Sequence, residues 1–191
     1  MKSEVMEQLL LESGALLEGH FLLTSGKHSN RYIEKFRLLE LPWATEEVGK
    51  GMAEAFEDDQ IEVVVGPMTG GILLAHETGK ALKTRAIFTE REQGKMVFRR
   101  GFELKPGERV LIVEDIVTTG GSVFEVMEAV KEHGGNVVGV ALMVNRSGGK
   151  VDFGVKTHSL LELDVPAYQP EECPLCKDHV PMTERGSRHL K

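Results

Sequence analysis

Apolar runs and helix-patterned segments alternate through the middle of the chain. Runs of β-branched and apolar residues predict buried strands at 62–65, 85–89, 109–113 and 137–144. Apolar residues at helical spacing predict helices over 42–56, 70–82 and 121–133. Strands that alternate with helices predict an α/β fold, in which helices flank a central, mostly parallel sheet.

The N-terminal part carries a different pattern. Apolar residues at helical spacing predict a helix over 2–13, and Gly14 follows it as a stop signal. Short strands are predicted at 20–23 and 31–35, with a polar turn between them. The whole chain has 191 residues, which is the size of one domain.

Composition and charge narrow the class of protein. Charged residues make up 28% of the chain and the formal net charge is −7, so we expect no general nucleic-acid binder. No apolar run approaches the roughly 20 residues that cross a bilayer, and acidic residues interrupt the apolar N-terminus, so we expect no secretion signal. Two cysteines fit a reducing compartment, and we expect a cytoplasmic protein.

The segment from Glu114 to Ser122 is the most informative one. Two carboxylates, Glu114 and Asp115, end the apolar run 110–113, and Thr-Thr-Gly-Gly-Ser then leads into a predicted helix. Backbone N–H groups at a helix N-terminus, together with hydroxyls, form an anion site. An ordinary strand-to-helix turn would explain the Thr and Gly residues, but not two adjacent carboxylates. Neither a P-loop nor a G-x-G-x-x-G fingerprint is present.

This run, VLIVEDIVTTGGS, resembles the phosphoribosyl-diphosphate (PRPP) signature of type I phosphoribosyltransferases. The resemblance implies that Glu114 and Asp115 hold the ribose hydroxyls and that the loop after them holds the 5-phosphate. The PRPP-binding residues implied in this way are Arg91, Glu114, Asp115, Ile116, Val117, Thr118, Thr119, Gly120, Gly121 and Ser122.

Four further segments resemble the orotate phosphoribosyltransferases within that family: GHFLLTSG at 19–26, VGPMTGG at 65–71, FTERE at 88–92 and VNRSGG at 144–149. This resemblance implies transfer of phosphoribosyl from PRPP to orotate, giving orotidine 5′-monophosphate and diphosphate in UMP biosynthesis. It implies Mg²⁺ brought with PRPP, and a homodimer. It also implies a single domain with a core at about 42–165 and a small hood formed by about 1–40 and the C-terminal segment.

Two loops are expected to handle the diphosphate. Met68, Thr69 and Gly70, here called the diphosphate loop, follow a strand and offer backbone N–H groups, although the family often has a lysine where Gly70 stands. The segment 90–101, here called the lid segment, carries the cations Arg91, Lys95, Arg99 and Arg100. It is either a solvated hairpin or a mobile lid that closes over diphosphate and reaches the neighbouring subunit.

The resemblance also assigns catalytic residues and the orotate site. Arg91, Lys95 and Asp115 are the expected catalytic residues, although Glu92 stands where many members have a lysine and the lid segment lacks their histidine. Arg146 is expected to contact orotate, with Thr118 nearby, because a guanidinium matches a carboxylate or an imide edge. Arg146 could otherwise be a surface arginine that ends a strand.

The hood turn and the C-terminal cysteines are harder to assign. Thr24 takes the place of a common family lysine, and Lys27 follows it in the same turn. Cys173-Pro174-Leu175-Cys176 supplies two of the four ligands that zinc requires, with His179 and His189 downstream. We interpret the cysteines as reduced residues of a packed tail and assign no metal site. The remaining histidines are interpreted as structural or surface residues: His20, His28, His76, His133 and His158.

Two other functions remain open on the sequence. A purine or uracil phosphoribosyltransferase would share the fold, but Arg146 and the segment 19–26 argue against it. A PRPP-sensing regulator would need a DNA-reading module, and the roughly 18 residues before the first strand are too few for a helix-turn-helix. Acceptor specificity distinguishes the orotate enzyme from a purine or uracil phosphoribosyltransferase, and DNA binding distinguishes a regulator from both enzymes.

Overall fold

A computed structural model describes residues 1–23 and 25–184. Its helices are α1 (Ser3–Glu12), α2 (Phe36–Leu39), α3 (Pro42–Glu54), α4 (Gly70–Leu82), α5 (Gly121–Glu132) and α6 (Pro174–Lys177). Its strands are β1 (Leu16–Leu22), β2 (His28–Ile33), β3 (Val63–Pro67), β4 (Arg85–Glu92), β5 (Lys95–Phe98), β6 (Arg109–Val117), β7 (Asn136–Asn145), β8 (Lys156–Glu162) and β9 (Met182–Glu184). None of the helices in this part of the chain has the length and apolarity to cross a bilayer.

The main sheet has six strands in the order β5-β4-β3-β6-β7-β8. All neighbours pair in parallel except β4 and β5, which form an antiparallel hairpin at one edge. The helices α4 and α5 make the crossovers from β3 to β4 and from β6 to β7, whereas residues 146–155 join β7 to β8 without a helix. The predicted α/β fold with a central, mostly parallel sheet is confirmed.

Both faces of the sheet are buried under helices. Leu111 and Val113 of β6 face a cluster that includes residues of α1, α3 and α4. Val110 and Ile112, which alternate with them, face a second cluster that includes residues of α5. Burial on both faces explains why the central strands are continuous apolar runs rather than alternating ones.

A second, three-stranded sheet joins the two ends of the chain. Its order is β2-β1-β9, with β1 antiparallel to β2 and parallel to β9. An isolated bridge between His28 and Tyr168 adds another connection from the C-terminal segment. Strand β9 has no sequence signal, because all three of its residues are exposed and lack an apolar pattern.

β1 and β2 begin at Leu16 and His28, earlier than the predicted strands at 20–23 and 31–35. Two further differences concern segments of the expected site. β6 continues through Val117, whereas the prediction ended it at Val113 because Glu114 and Asp115 are charged. The strand continues because Glu114 and Ile116 lie opposite Leu142 and Val144 of the buried strand β7. The lid segment is also more regular than a loop, because its first residues extend β4 and residues 95–98 form β5.

Candidate functional site

Three loops meet at the carboxyl edge of the main sheet. They follow β3, β6 and β7, which are neighbours in the sheet. Backbone hydrogen bonds fix their positions: the N–H of Met68 donates to the carbonyl of Thr89, and the N–H of Arg146 donates to that of Val117. In a parallel sheet this edge is the ordinary place for a ligand, so the predicted diphosphate loop, acidic pair and Arg146 share one edge.

The loop after β6, residues 118–122, is here called the phosphate loop. Thr118 and Thr119 are exposed, and Gly120 turns the chain into α5 with a φ of +77°. A side chain at Gly120 would place its Cβ 2.8 Å from Val151. The loop lines a cavity of about 70 Å³ together with Glu114, Ile116, Val117 and Val123. Because the first N–H groups of a helix lack intrahelical acceptors, this cavity suits an anion.

The two carboxylates are buried beside this cavity. Glu114 is 7% exposed and Asp115 is 3% exposed. One oxygen of Glu114 accepts a hydrogen bond from the N–H of Asp115 at 3.0 Å, and Oδ1 of Asp115 accepts one from the N–H of Ile116 at 2.7 Å. The ammonium of Lys35 lies 2.6 Å from Oδ2 of Asp115.

Burial changes the pKa of Glu114. It raises the pKa of Glu114 from 4.5 to about 8, and the negative charge of Asp115 adds to the rise. The hydrogen bond from the backbone of Asp115 and the charge of Lys35 act in the opposite direction but do not cancel it. Because its pKa is raised to about 8, Glu114 is the member of the pair that keeps its proton near neutral pH, while Lys35 contacts the carboxylate of Asp115.

Lys35 is a residue of the site that sequence reasoning missed. It precedes the short helix α2, and its side chain reaches from there to the end of β6. The two residues are 80 positions apart, so no helical or strand spacing could pair them. The available signal was a lysine in the short linker between the hood and the first core helix. Lysines are common in surface turns, so this signal alone did not indicate a site residue.

Gly70 packs directly against the acidic pair. A Cβ at this position would lie 2.0 Å from Oδ2 of Asp115 and 3.2 Å from Leu39. The Asp115 carboxylate cannot retreat easily, since Lys35 and the N–H of Ile116 both hold it. The absence of the family's lysine at Gly70 therefore matches a loop that leaves no room for a side chain.

We expect Gly70→Ala to lower kcat/KM for PRPP by at least about tenfold, because one displaced charged hydrogen bond is worth about 1.5–3 kcal/mol. Steady-state kinetics with PRPP as the varied substrate measures the effect. His76→Ala, an exposed position further along α4, is the control for general disturbance of the helix and should keep wild-type kinetics. Wild-type kinetics in Gly70→Ala would contradict the close contact.

The lid segment is held in an ordered hairpin. Arg91 forms an ion pair with Glu125 of α5 at 2.7 Å and donates to the carbonyl of Gly94. Arg99 pairs with Glu92 at 3.0 Å, and Arg100 pairs with Glu90. Lys95 is exposed and has no salt-bridge partner in the part of the chain that the structure describes. Arg91 stands two residues beyond Thr89, whose carbonyl accepts a hydrogen bond from Met68 of the diphosphate loop. Arg99 and Arg100, in contrast, pair within the lid segment.

Arg146 is half-buried at the end of β7. Its Nε has no hydrogen-bond partner within residues 1–23 and 25–184. Burial lowers the pKa of the Arg146 guanidinium, and the neighbouring Tyr32 of β2 acts in the opposite direction. A guanidinium stays charged in proteins, so a buried one with an unused donor suits an anionic or imide ligand.

The hood turn precedes β2, the strand that carries Tyr32. Thr24 is outside the described residues. The backbone of Lys27 closes the turn by accepting a hydrogen bond from the N–H of Leu23 at 2.8 Å. The role of the Lys27 side chain stays a prediction.

The two cysteines lie against two histidines. On the sequence alone, the cysteines are instead interpreted as reduced residues of a packed tail without a metal site. His20 and His28, interpreted as structural or surface histidines, are buried against Cys173 and Cys176. His179, the downstream histidine considered first, is not part of this group, and His189 is outside the described residues. The signal that could have found the group is the pairing of β1 with β2, which brings the two histidines side by side.

Comparison with known proteins agrees with this geometry. The family model for phosphoribosyl transferase domains matches residues 37–159. The chain is 53% identical to an orotate phosphoribosyltransferase of Thermotoga maritima, over 98% of this chain and 100% of that one. It is 48% identical to one of Desulforamulus reducens over the full length of both. A crystal structure of Mycobacterium tuberculosis orotate phosphoribosyltransferase with PRPP superposes with a TM-score of 0.66 at 28% identity, over 84% of this chain and 95% of that one.

Proposed function

The chain belongs to the orotate phosphoribosyltransferase family, and from this premise we propose how its carboxyl-edge site works. The enzyme is a pentosyltransferase that transfers phosphoribosyl from PRPP to orotate in UMP biosynthesis. The phosphate loop takes the 5-phosphate, Glu114 and Asp115 take the ribose hydroxyls, and the diphosphate loop takes the leaving group. The observation that carries this arrangement is the buried acidic pair beside an anion-accepting helix N-terminus.

The charged groups of the site match the charges that develop on the ribose and on the diphosphate during the reaction. The bond between ribose C1 and the diphosphate oxygen breaks, its electron pair leaves with diphosphate, and the ribose develops positive charge as in glycoside chemistry. The Asp115 carboxylate favours that positive charge, whereas cations and backbone N–H groups favour the departing diphosphate. Orotate N1 forms the new bond to C1 and loses its proton to solvent, so we assign no general base.

Orotate would be oriented by Arg146, with Thr118 beside it. Arg146 has an Nε without a hydrogen-bond partner among the described residues and lies near Tyr32 of the hood, which supports a position for the base between the hood and the sheet edge. A planar guanidinium can meet the carboxylate of orotate in two parallel hydrogen bonds. Uracil lacks that carboxylate, so this contact separates the two bases.

Magnesium would arrive bound to the diphosphate of PRPP. When bound, it would neutralise negative charge on the diphosphate and so favour its departure. The site fits such an ion, because the carboxylate of Asp115 offers the oxygen ligands that magnesium prefers. Lys35 already occupies one oxygen of Asp115, so we propose that the ion is carried by the substrate rather than held by the protein alone.

We propose that Arg91 and Lys95 complete the site when PRPP binds. Arg91 has to exchange Glu125 for diphosphate, which is a small cost because exposed ion pairs are worth about 0.2–1 kcal/mol. Lys95 has no partner to give up among the described residues.

We also propose a cytoplasmic homodimer with a shared lid segment. Exposed apolar side chains on three mutually packed helices support an interface: Phe36 of α2, Trp43 of α3 and Leu73 of α4.

The test is orotate consumption by the purified protein with PRPP and Mg²⁺, with uracil, hypoxanthine, adenine and xanthine in parallel. We expect turnover of orotate alone and dependence on Mg²⁺. Arg91→Ala should lower kcat by about 10- to 100-fold, because one charged hydrogen bond to the transition state is lost. Arg99→Ala, on the same hairpin but paired with Glu92, is the matched control and should retain activity.

Other outcomes would contradict specific parts of this account. Turnover of another base in place of orotate would overturn the role of Arg146. An Arg91→Ala variant as active as Arg99→Ala would show that the lid segment does not act through Arg91. Binding of PRPP without turnover of any base would contradict the enzymatic function.

A further inference from the structure

Four metal-ligating side chains converge away from the sheet edge. They are His20 of β1, His28 of β2, and Cys173 and Cys176 at the start of α6. Their ligand atoms all lie within 4.8 Å of one another. His20, His28 and Cys173 are buried, with exposures of 3%, 6% and 0%. None of them belongs to the site that handles PRPP and orotate.

The spacing of the ligand atoms is that of a small tetrahedron. Nε2 of His20 lies 3.0 Å from Nδ1 of His28, 3.6 Å from Sγ of Cys173 and 3.8 Å from Sγ of Cys176. Sγ of Cys176 lies 3.2 Å from Nδ1 of His28. Tetrahedral zinc, with bonds of about 2.0–2.1 Å to nitrogen and about 2.3 Å to sulfur, separates its ligand atoms by about 3.3–3.8 Å. The four atoms therefore surround a centre of zinc size.

The orientation of His20 adds a separate argument. Its Nδ1 lies 2.8 Å from the backbone carbonyl of Val180, so that nitrogen carries the proton and donates it. The unprotonated Nε2 then points into the group with its lone pair. Zinc-ligating histidines are typically oriented in this way, by a hydrogen bond from the other ring nitrogen to a carbonyl or carboxylate.

The placement of the ligands indicates a structural rather than a catalytic ion. Four protein ligands close the coordination sphere, whereas catalytic zinc keeps a position open. Two ligands come from the N-terminal sheet and two from the C-terminal segment, next to the residues that pair β9 with β1. His20 and His28 also flank the hood turn, so an ion here would hold both ends of that turn and fasten the tail to it.

We propose that His20, His28, Cys173 and Cys176 bind one structural Zn²⁺ that joins the C-terminal segment to the N-terminal sheet. Thiolate and imidazole ligands in a tetrahedron favour zinc over magnesium, calcium and manganese. This ion is distinct from the Mg²⁺ that accompanies PRPP, because no ligand of one site is shared with the other.

The test is the zinc content of the full-length protein, purified under reducing conditions without chelator and measured by elemental mass spectrometry. We expect about one zinc per chain. Cys176→Ser and His28→Ala should lose it, and His179→Ala, a histidine three residues from Cys176 that is not in the group, should keep it. Removing the zinc with a chelator should lower the melting temperature of the wild type by roughly 5–10 °C, and zinc should restore it.

Cobalt substitution of the wild type keeps the proposal testable even if a variant fails to fold. Co²⁺ added to metal-free protein should give the intense visible bands of tetrahedral cobalt and a thiolate charge-transfer band in the ultraviolet. Absence of zinc together with absence of these bands would overturn the proposal. So would zinc retained by folded Cys176→Ser, or a disulfide between Cys173 and Cys176 in the reduced preparation.

Discussion

Asp115→Asn is expected to lower kcat/KM on the order of 10²- to 10³-fold at pH 7, the range measured when one charge-stabilising group of an active site is removed. The carboxylate of Asp115 pairs with the ammonium of Lys35, and we propose that it faces the positive charge that develops on the ribose. Asparagine keeps the size of the side chain and removes the charge. Initial rates with orotate and PRPP, with circular dichroism to verify the fold, measure the effect.

Glu114→Gln is the matched control, and its effect should be about tenfold or less near neutral pH. Because the pKa of Glu114 is raised to about 8, this carboxyl is already neutral there, and an amide resembles it in shape and charge. If Glu114→Gln were the more damaging of the two, the charge would reside on Glu114 and our assignment within the pair would be wrong.

Glu114→Gln should also stabilise the folded protein relative to the wild type in alkaline solution. In the unfolded chain Glu114 ionises near its ordinary pKa of 4.5, whereas in the folded chain it holds its proton up to about pH 8. Folding therefore takes up a proton between these values, so the free energy of unfolding of the wild type falls as the pH rises through this window and levels off above it. At about 1.4 kcal/mol for each pKa unit, the loss is at most about 5 kcal/mol.

Glutamine has no proton to lose, and its carbonyl can still accept the hydrogen bond from the N–H of Asp115. The melting temperature of Glu114→Gln minus that of the wild type should thus grow from pH 5 to pH 9 and reach roughly 10 °C. All other titrating groups are shared by the two proteins, so the difference isolates Glu114. A difference that stays constant with pH would contradict the raised pKa.

Glu108→Gln provides a control of opposite sign. Burial raises the pKa of Glu108, but hydrogen bonds from Arg85 and from the N–H of Lys105 outweigh it and leave the pKa lowered. The stability that Glu108 contributes is therefore present above its unfolded pKa and is lost as the pH falls through its folded one. This variant should be less stable than the wild type at neutral pH, and the difference should shrink in acid.

The part of the site that is local in sequence could be predicted from it. The run from Glu114 to Ser122 is a strand end, a turn and a helix start in one continuous segment, so its residue types already predict an acidic pair beside an anion site. The burial of that pair was not predicted, because the strand was expected to end at Val113. Arg146 and the diphosphate loop could be placed at the same edge because parallel strands end on the same side.

Contacts between distant segments could not be predicted in this way. Lys35 reaches Asp115 across 80 positions, and His20 and His28 meet Cys173 and Cys176 across about 150. No periodicity connects such positions. β8 was also missed, because its burial is confined to Leu160 and Leu161 and gives too short an apolar run. The pairing of the N-terminal strands with the C-terminal segment becomes visible only in the folded structure.

The most direct test of the central claim is a crystal structure of this chain with PRPP and Mg²⁺. Our account predicts the 5-phosphate within hydrogen-bond distance of the backbone N–H groups of the phosphate loop, and the ribose hydroxyls on Glu114 and Asp115. A PRPP molecule bound elsewhere, or bound at this edge with neither carboxylate on the ribose, would contradict the account.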